Sequence, residues 1–89
     1  MAEELSLVVH EIRSRYGLSQ LDLAEAVGTS RSTVSLWERD ERTPSPRYLD
    51  RLAQQFPYYR SILYVAARRL PSELNAEKKY ELLKALDYE

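Results

Sequence analysis

Residues 20–37 constrain the fold of this chain more than any other stretch, because they contain two short apolar patterns separated by one glycine. Gly28 is the residue type best suited to a left-handed backbone at a helix end. Apolar residues share one helical face on each side of it, at Leu23, Ala24 and Val27 and then at Val34 and Trp37. The pattern predicts two helices that meet at a tight turn, with the small Ala24 allowing close contact and the second helix pushed outward.

The flanking segments predict further helices and no strands, so the expected fold class is all-α. No stretch alternates apolar and polar residues for long, and threonine and valine are too sparse for a sheet. A first helix ends at Gly17. Ser19 and Asp22 predict a capping box at the start of the second helix, and Ser30 predicts the start of the third. The apolar stripe of the first helix is formed by Leu5, Val8, Val9, Ile12 and Tyr16.

Proline residues delimit the last two helices of the expected core. A fourth helix begins at Ser45 and Pro46 and ends at Pro57, and a fifth helix follows. Their apolar stripes are Tyr48, Leu49, Leu52, Ala53 and Phe56 in the fourth, and Tyr59, Ile62, Leu63, Ala66 and Leu70 in the fifth. These five helices predict one compact domain over residues 1–70. Residues 71–89 predict a C-terminal extension, a sixth helix or an ordered tail that packs on its own core, on a second subunit or on a partner.

Composition and charge narrow the function. The chain has no cysteine and one histidine, so we expect no disulfide, metal centre or cofactor. No combination of a catalytic nucleophile with a general base indicates an enzyme. No segment approaches the roughly 20 apolar residues of a membrane span, so we expect a cytoplasmic protein. The net charge is −1, but arginines outnumber acids between residues 10 and 70. Such a mildly basic centre gives DNA binding only modest electrostatic help.

One set of residues points to a known family. Gln20 opens the second helix, Gly28 and Ser30 form the turn, and Trp37 and Glu38 end the third helix. The run Arg-Asp-Glu-Arg-Thr-Pro-Ser over residues 39–45 is similar to the signature Glu-Arg-Gly-Lys-x-x-Pro-Ser. On these residues the stretch 9–56 resembles the Xre/Cro-like helix-turn-helix family, which includes the lambda-type phage repressors. The resemblance implies a DNA-binding domain whose third helix, about residues 31–38, enters the major groove.

The same resemblance implies two classes of DNA contact. Arg31 is placed to bond guanine O6 and N7, a pair worth about 1–3 kcal/mol of discrimination, with a phosphate contact or a solvated arginine as alternatives. Leu36 either presses on a thymine methyl or is an ordinary exposed leucine. The base-reading positions are Arg31, Ser32, Ser35 and Leu36. The backbone-contacting positions are Gln20, Ser30, Thr33, Arg39, Arg42 and Thr43.

Other positions are expected to support the fold or the assembly. The family pairs the positions of Arg13 and Glu38 in a partly buried ion pair, and Trp37 is expected in the core. Asp40 stands where the family usually has glycine, and it brings an acid close to the loop that approaches phosphate. The candidates for a dimer contact are Phe56, Tyr58 and Tyr59.

These expectations lead to two hypotheses on function. The first is a sequence-specific transcriptional regulator, a repressor, that binds double-stranded DNA as a homodimer on a palindromic operator. The second is a protein-interaction module, such as the antitoxin of a toxin–antitoxin pair, in which the helices are a scaffold for a protein partner. A salt titration separates them, because the affinity of a DNA reader falls steeply as salt rises.

Overall fold

The computed structural model describes residues 2–69 and contains five α-helices within that range. They are α1 (Ala2–Tyr16), α2 (Gln20–Val27), α3 (Arg31–Glu38), α4 (Pro46–Gln55) and α5 (Arg60–Ala67), and a 3-10 turn, Pro57–Tyr59, precedes α5. No strand occurs among these residues, so the all-α, five-helix expectation is confirmed. The sixth helix or tail expected at residues 71–89 lies outside the described residues.

A single core lies between the five helices and takes side chains from each of them. Its largest fully buried side chains are Val9, Ile12, Leu23, Val27, Val34, Leu49, Leu52 and Leu63. Trp37 is only 2% exposed and packs on Tyr48 at a centroid distance of 5.9 Å, which confirms its place in the core. Each large apolar side chain buried in this way stabilises the fold by about 1.5–3 kcal/mol, so packing holds these short helices.

The predicted helix starts have the cap geometry that their residues favour. The Asp22 backbone N–H donates to Ser19 Oγ at 2.9 Å, and the Ser19 N–H donates to Asp22 Oδ2 at 3.0 Å, which completes the capping box. Hydrogen bonds to the Asp22 carboxylate from the backbone and side chain of Ser19 lower its pKa because they favour its charged form. The Thr33 N–H donates to Ser30 Oγ at 3.2 Å. Pro46 begins α4 as expected, although the Ser45 side chain makes no capping bond.

Two left-handed residues shape the ends of α2 and α3. Gly28 has φ 78° and its N–H donates to Ala24 O, and this turn directs the chain across α2 into α3. Ala24 is fully buried where α2 packs on α3, so a larger side chain there would push the two helices apart. Asp40 follows α3 with φ 60°, a conformation that aspartate tolerates better than most residues.

The apolar stripe predicted for the fifth helix is wrong at Ile62, which is 50% exposed, and it omits Tyr64, which is 3% exposed. The 3-10 turn before α5 has about three residues per turn, so it rotates the buried face relative to a continuous α-helix. α5 also packs on both α1 and α4, and the Tyr64 hydroxyl donates to Asp50 on α4. The buried face therefore extends to Tyr64. Tyr59, Leu63 and Ala66 are buried as expected, and Leu70 lies beyond the described residues.

Replacing Gly28 with alanine is expected to destabilise the protein by about 2 kcal/mol. A residue with a Cβ is less stable in this left-handed backbone by about 1–2 kcal/mol. The alanine Cβ would also lie 2.8 Å from Arg51 Nη1. Arg51 Nη1 donates to Val27 O at 3.1 Å, so the displaced guanidinium would also lose a bond worth about 1 kcal/mol. Urea unfolding measures the loss. Gly17→Ala is the matched control, since Gly17 has φ 65° but no atom within 4 Å of its Cβ position; equal losses in both variants would contradict the role of Arg51.

Candidate nucleic-acid interface

The N-terminal half of α3 forms the exposed part of the two-helix unit. Val34 and Trp37 are buried, which turns the first turn of α3 outward and leaves Arg31 and Ser32 exposed. Ser35 and Leu36 follow on the next turn and are half-buried. The four positions implied for base reading therefore differ in access, and the two on the first turn are the most available to a groove.

A partly buried ion pair joins α1 to the end of α3. Arg13 Nη2 donates to Glu38 Oε1 at 2.9 Å, and Arg13 Nε donates to Glu38 Oε2, which makes the pair bidentate. Arg13 Nη1 also donates to Leu18 O at 3.0 Å. The side chains are 20% and 10% exposed, so the pair is largely shielded from water. The structure thus brings together the two residues for which the family resemblance implies a structural role.

The environment of Glu38 favours its charged form. Burial raises the pKa of this carboxyl, but hydrogen bonds from Arg13 and Gln20 and the nearby positive charge lower it by more, so the net pKa is below its ordinary value. The same contact raises the pKa of the Arg13 guanidinium. His10 Nδ1 lies 3.8 Å from Glu38 Oε1 with its side chain 60% exposed, so a protonated imidazole would add a further positive neighbour.

Gln20 connects this ion pair to the start of α3. Its Nε2 donates to Glu38 Oε1 at 3.1 Å, and its Oε1 accepts from Arg31 Nη1 at 3.4 Å. Both ends of the amide are therefore used within the protein, although Gln20 was expected to contact a phosphate. No sequence pattern indicated this connection, because Gln20 is 18 residues from Glu38 and 11 from Arg31. It arises because the fold brings the first residues of α2 and α3 together.

Three of the residues implied for backbone contact, Thr33, Arg42 and Thr43, line a polar notch beside α3. Its cavity of about 270 Å³ is lined by Thr29, Thr33, Trp37, Arg42, Thr43, Ser45 and Tyr48. Hydroxyl groups and one guanidinium are groups that bond phosphate oxygens. Ser30 Oγ and Thr33 Oγ1 lie 3.0 Å apart at the start of α3. Arg39 lies at the end of α3, with Nη2 at 3.6 Å from Glu41 Oε1 in an exposed ion pair.

The three aromatic residues expected at a dimer contact have different surroundings. Phe56 and Tyr59 are 9% and 6% exposed and belong to the core, whereas Tyr58 is 70% exposed. Burial and a hydroxyl bond to Glu11 raise the pKa of Tyr59, although a hydrogen bond from Arg15 opposes this. Among the three, Tyr58 alone is exposed.

The described residues contain neither a cluster suited to a metal ion nor a helix suited to a membrane. No group of three or more histidine, cysteine or acidic side chains there has the arrangement of a metal site. No helix in the same part of the chain has the length and apolar character needed to cross a membrane.

Comparisons with known proteins agree with this geometry. A helix-turn-helix family model matches residues 9–63, more than half of the chain, and this span contains α2, α3 and α4 whole. An uncharacterised HTH-type transcriptional regulator from Archaeoglobus fulgidus is 35% identical over 48 residues, which cover 54% of this chain and 69% of that protein. No solved structure gives a significant match. The chain belongs to the Xre/Cro-like helix-turn-helix family.

Proposed function

We propose that this protein is a sequence-specific regulator of transcription that binds double-stranded DNA and represses its target. α3 lies in the major groove in this proposal, and residues 1–70 form the DNA-binding domain. The protein acts as a homodimer on a palindrome, because one recognition helix covers too few base pairs for specificity. Two-fold pairing sets the half-site centres about 34 Å apart. Binding to the nucleoid in the cytoplasm follows from this role.

The observation that carries the proposal is the exposed guanidinium of Arg31 at the start of α3, next to a fixed partner. The side-chain amide of Gln20 accepts from Arg31 through Oε1 and donates to Glu38 through Nε2. Glu38 also accepts from Arg13. A reading side chain that is held before binding loses less conformational entropy when it bonds a base. Arg31 is suited to a guanine, whereas Ser32 and Ser35 are too short to dictate one base. Leu36 is half-buried and can meet a thymine methyl with its exposed part.

Phosphate contacts position the helix in this proposal. Thr33, Arg42 and Thr43 line the polar notch, with Ser30 and Arg39 at the two ends of α3. The N-termini of α2 and α3 also favour an anion through their free backbone N–H groups. Gln20 can add its backbone N–H to this set without breaking its side-chain bonds. The acids Asp40 and Glu41 lie beside these groups and reduce the attraction, so few cations contribute per subunit.

The alternative is a protein-interaction module, for example the antitoxin of a toxin–antitoxin pair. The net charge of −1 and the exposed apolar residues of α1 and α5 favour it. In that case α2 and α3 are a scaffold and a protein partner is bound elsewhere, with the C-terminal segment 71–89 as a contact.

Affinity for a duplex of random sequence is expected to fall by about 10²–10³-fold between 50 and 200 mM salt. About five phosphates neutralised per dimer give a slope near −4.5 in log affinity against log salt, since each contributes about −0.9. Fluorescence anisotropy with a labelled duplex measures this slope. Arg42→Ala should make it less steep by about 1 per subunit and weaken all sequences alike. Absence of duplex binding even at low salt would contradict the proposal and favour the interaction module.

A further inference from the structure

Two consecutive arginines follow directly after α5. Arg68 and Arg69 are both exposed, and no carboxylate within residues 2–69 forms an ion pair with either guanidinium. Both residues lie outside the span 9–63 that the helix-turn-helix family model matches. The family match therefore gives this pair no role, and the ion pairs of the described residues do not use its positive charge.

The backbone of Arg68 shows that the turn after α5 does not require an arginine. Arg68 has φ 56° and ψ 47°, in the left-handed region, and its N–H donates to Tyr64 O and Val65 O. Glycine is the residue that helix ends of this kind favour, because a Cβ makes the left-handed backbone less stable. The arginine thus makes the turn less stable than glycine would, which points to a use of its side chain outside the domain.

The two arginines share a cavity with the loop between α3 and α4. This cavity of about 400 Å³ has an apolar lining that includes Leu5 and Pro44, and its polar lining is formed by Thr43, Arg68 and Arg69. Thr43 also lines the polar notch beside α3. The cavity and the notch are therefore neighbours along one loop, and the end of α5 lies next to residues implied for contact with the DNA backbone.

The loop after α3 has little free positive charge of its own. Arg39 lies 3.6 Å from Glu41 in an ion pair, and Asp40 is a second acid. Arg42 is thus the one arginine of residues 39–45 that has no ion pair among the described residues. Two arginines and two acids give residues 39–45 a net charge of zero, and the two arginines after α5 raise the sum to +2. A net positive group of this kind attracts phosphate.

We propose that Arg68 and Arg69 together bind one phosphate of the DNA backbone and so extend the interface beyond the helix-turn-helix. Guanidinium groups bond phosphate oxygens in a bidentate way, and the Thr43 hydroxyl on the same cavity is a further donor. The contact positions the protein on the duplex and reads no base. The proposal rests on the proposed function and adds a second group of cations to the same interface.

The test measures how the affinity of the full chain for a duplex of random sequence depends on salt. Wild type, with about five phosphates neutralised per dimer, is expected to lose about 500-fold in affinity between 50 and 200 mM salt. The double variant Arg68→Gln, Arg69→Gln lacks one phosphate contact per subunit, so it should lose only about 40-fold. The slope of log affinity against log salt is then less steep by about 1.8. Fluorescence anisotropy with a labelled duplex measures both slopes.

Arg60→Glu is the control for a general effect of charge. It lowers the charge of each subunit by two units, as the double variant does, but Arg60 lies at the opposite end of α5. The length of α5 is about 12 Å, which exceeds the screening length of about 10 Å at 0.1 M salt. Arg60→Glu should therefore keep the slope of wild type. A slope reduced equally in both proteins would overturn the phosphate contact.

A third variant separates DNA binding from helix stability, because cations near a helix C-terminus can also stabilise the helix. Arg68→Gly places the favoured residue type at φ 56°, so it should melt at or above the temperature of wild type. Its salt slope should nevertheless be less steep than that of wild type. A double variant that melts lower but keeps the wild-type slope would show a role in the helix alone and would overturn the proposal.

The same measurements distinguish this proposal from the proposed function. If wild type binds the duplex and the double variant has an equal slope, DNA binding stands and only the contact of Arg68 and Arg69 is overturned. If wild type binds no duplex even at low salt, the proposed function and this contact are both contradicted.

Discussion

Replacing Glu38 with alanine is expected to lower the free energy of unfolding by about 3 kcal/mol. The substitution leaves the Arg13 guanidinium partly buried without its carboxylate, and breaking one partner of a buried pair typically costs about 3–5 kcal/mol. The lower end applies because Arg13 is 20% exposed and keeps its bond to Leu18 O. Gln20 also loses an acceptor. Urea unfolding followed by circular dichroism measures the change.

Glu41→Ala is the control for the loss of a carboxylate from an ion pair. Glu41 and Arg39 form a pair with side chains 56% and 59% exposed, and such pairs typically contribute about 0–1 kcal/mol. A loss below 1 kcal/mol in Glu38→Ala, or equal losses in the two variants, would show that the partly buried Arg13–Glu38 pair does not hold α1 to α3.

The dependence of stability on pH gives a second measurement of the same pair. Folding lowers the pKa of Glu38, so its contribution is present above the unfolded pKa and is lost as pH falls through the folded pKa. The wild type is therefore expected to lose more stability on acidification than Glu38→Gln. Asp22 shifts in the same direction in both proteins, so the difference between their profiles isolates Glu38. Parallel profiles would contradict a lowered pKa at Glu38.

Replacing Arg31 with alanine is expected to remove the preference for guanine at one position in each half-site. A bidentate arginine–guanine pair contributes about 1–3 kcal/mol, so the preference over other bases should fall by about 5- to 150-fold. Selection of bound sequences from a random duplex pool, with wild type and variant in parallel, measures this change. Arg42→Ala is the control, because a phosphate contact should weaken all sequences alike. An unchanged base preference in Arg31→Ala would remove Arg31 from the base-reading set.

A substitution at Gln20 separates its two possible roles. Gln20→Leu removes the bond that holds Arg31 as well as any side-chain bond to phosphate. If Gln20 orients Arg31, the variant should lose part of the same guanine preference and keep the salt dependence of wild type. If its side chain instead serves mainly as a phosphate contact, all sequences should weaken equally.

Local features were predicted correctly from the sequence more often than long-range ones. Ser19, Gly28 and Ser30 predicted the helix ends because caps and left-handed turns depend on residues close in sequence. The face of the fifth helix was wrong at Ile62 and Tyr64, since it depends on the rotation introduced by the 3-10 turn and on packing against two other helices. The family resemblance identified interface residues only by their positions in the sequence. It could not show that Gln20 bonds Glu38 and Arg31.

The sequence by itself determined the all-α class, the helix limits between residues 17 and 57, and the family. Those properties follow from the periodicity of apolar residues and from cap residues, which act over a few positions. Only the tertiary structure decided which side chains meet across elements. It joined Gln20 and Arg31 to the Arg13–Glu38 pair that the resemblance had implied, and it left apolar side chains exposed on α1 and α5. Those contacts depend on how whole helices pack, which no short stretch of sequence specifies.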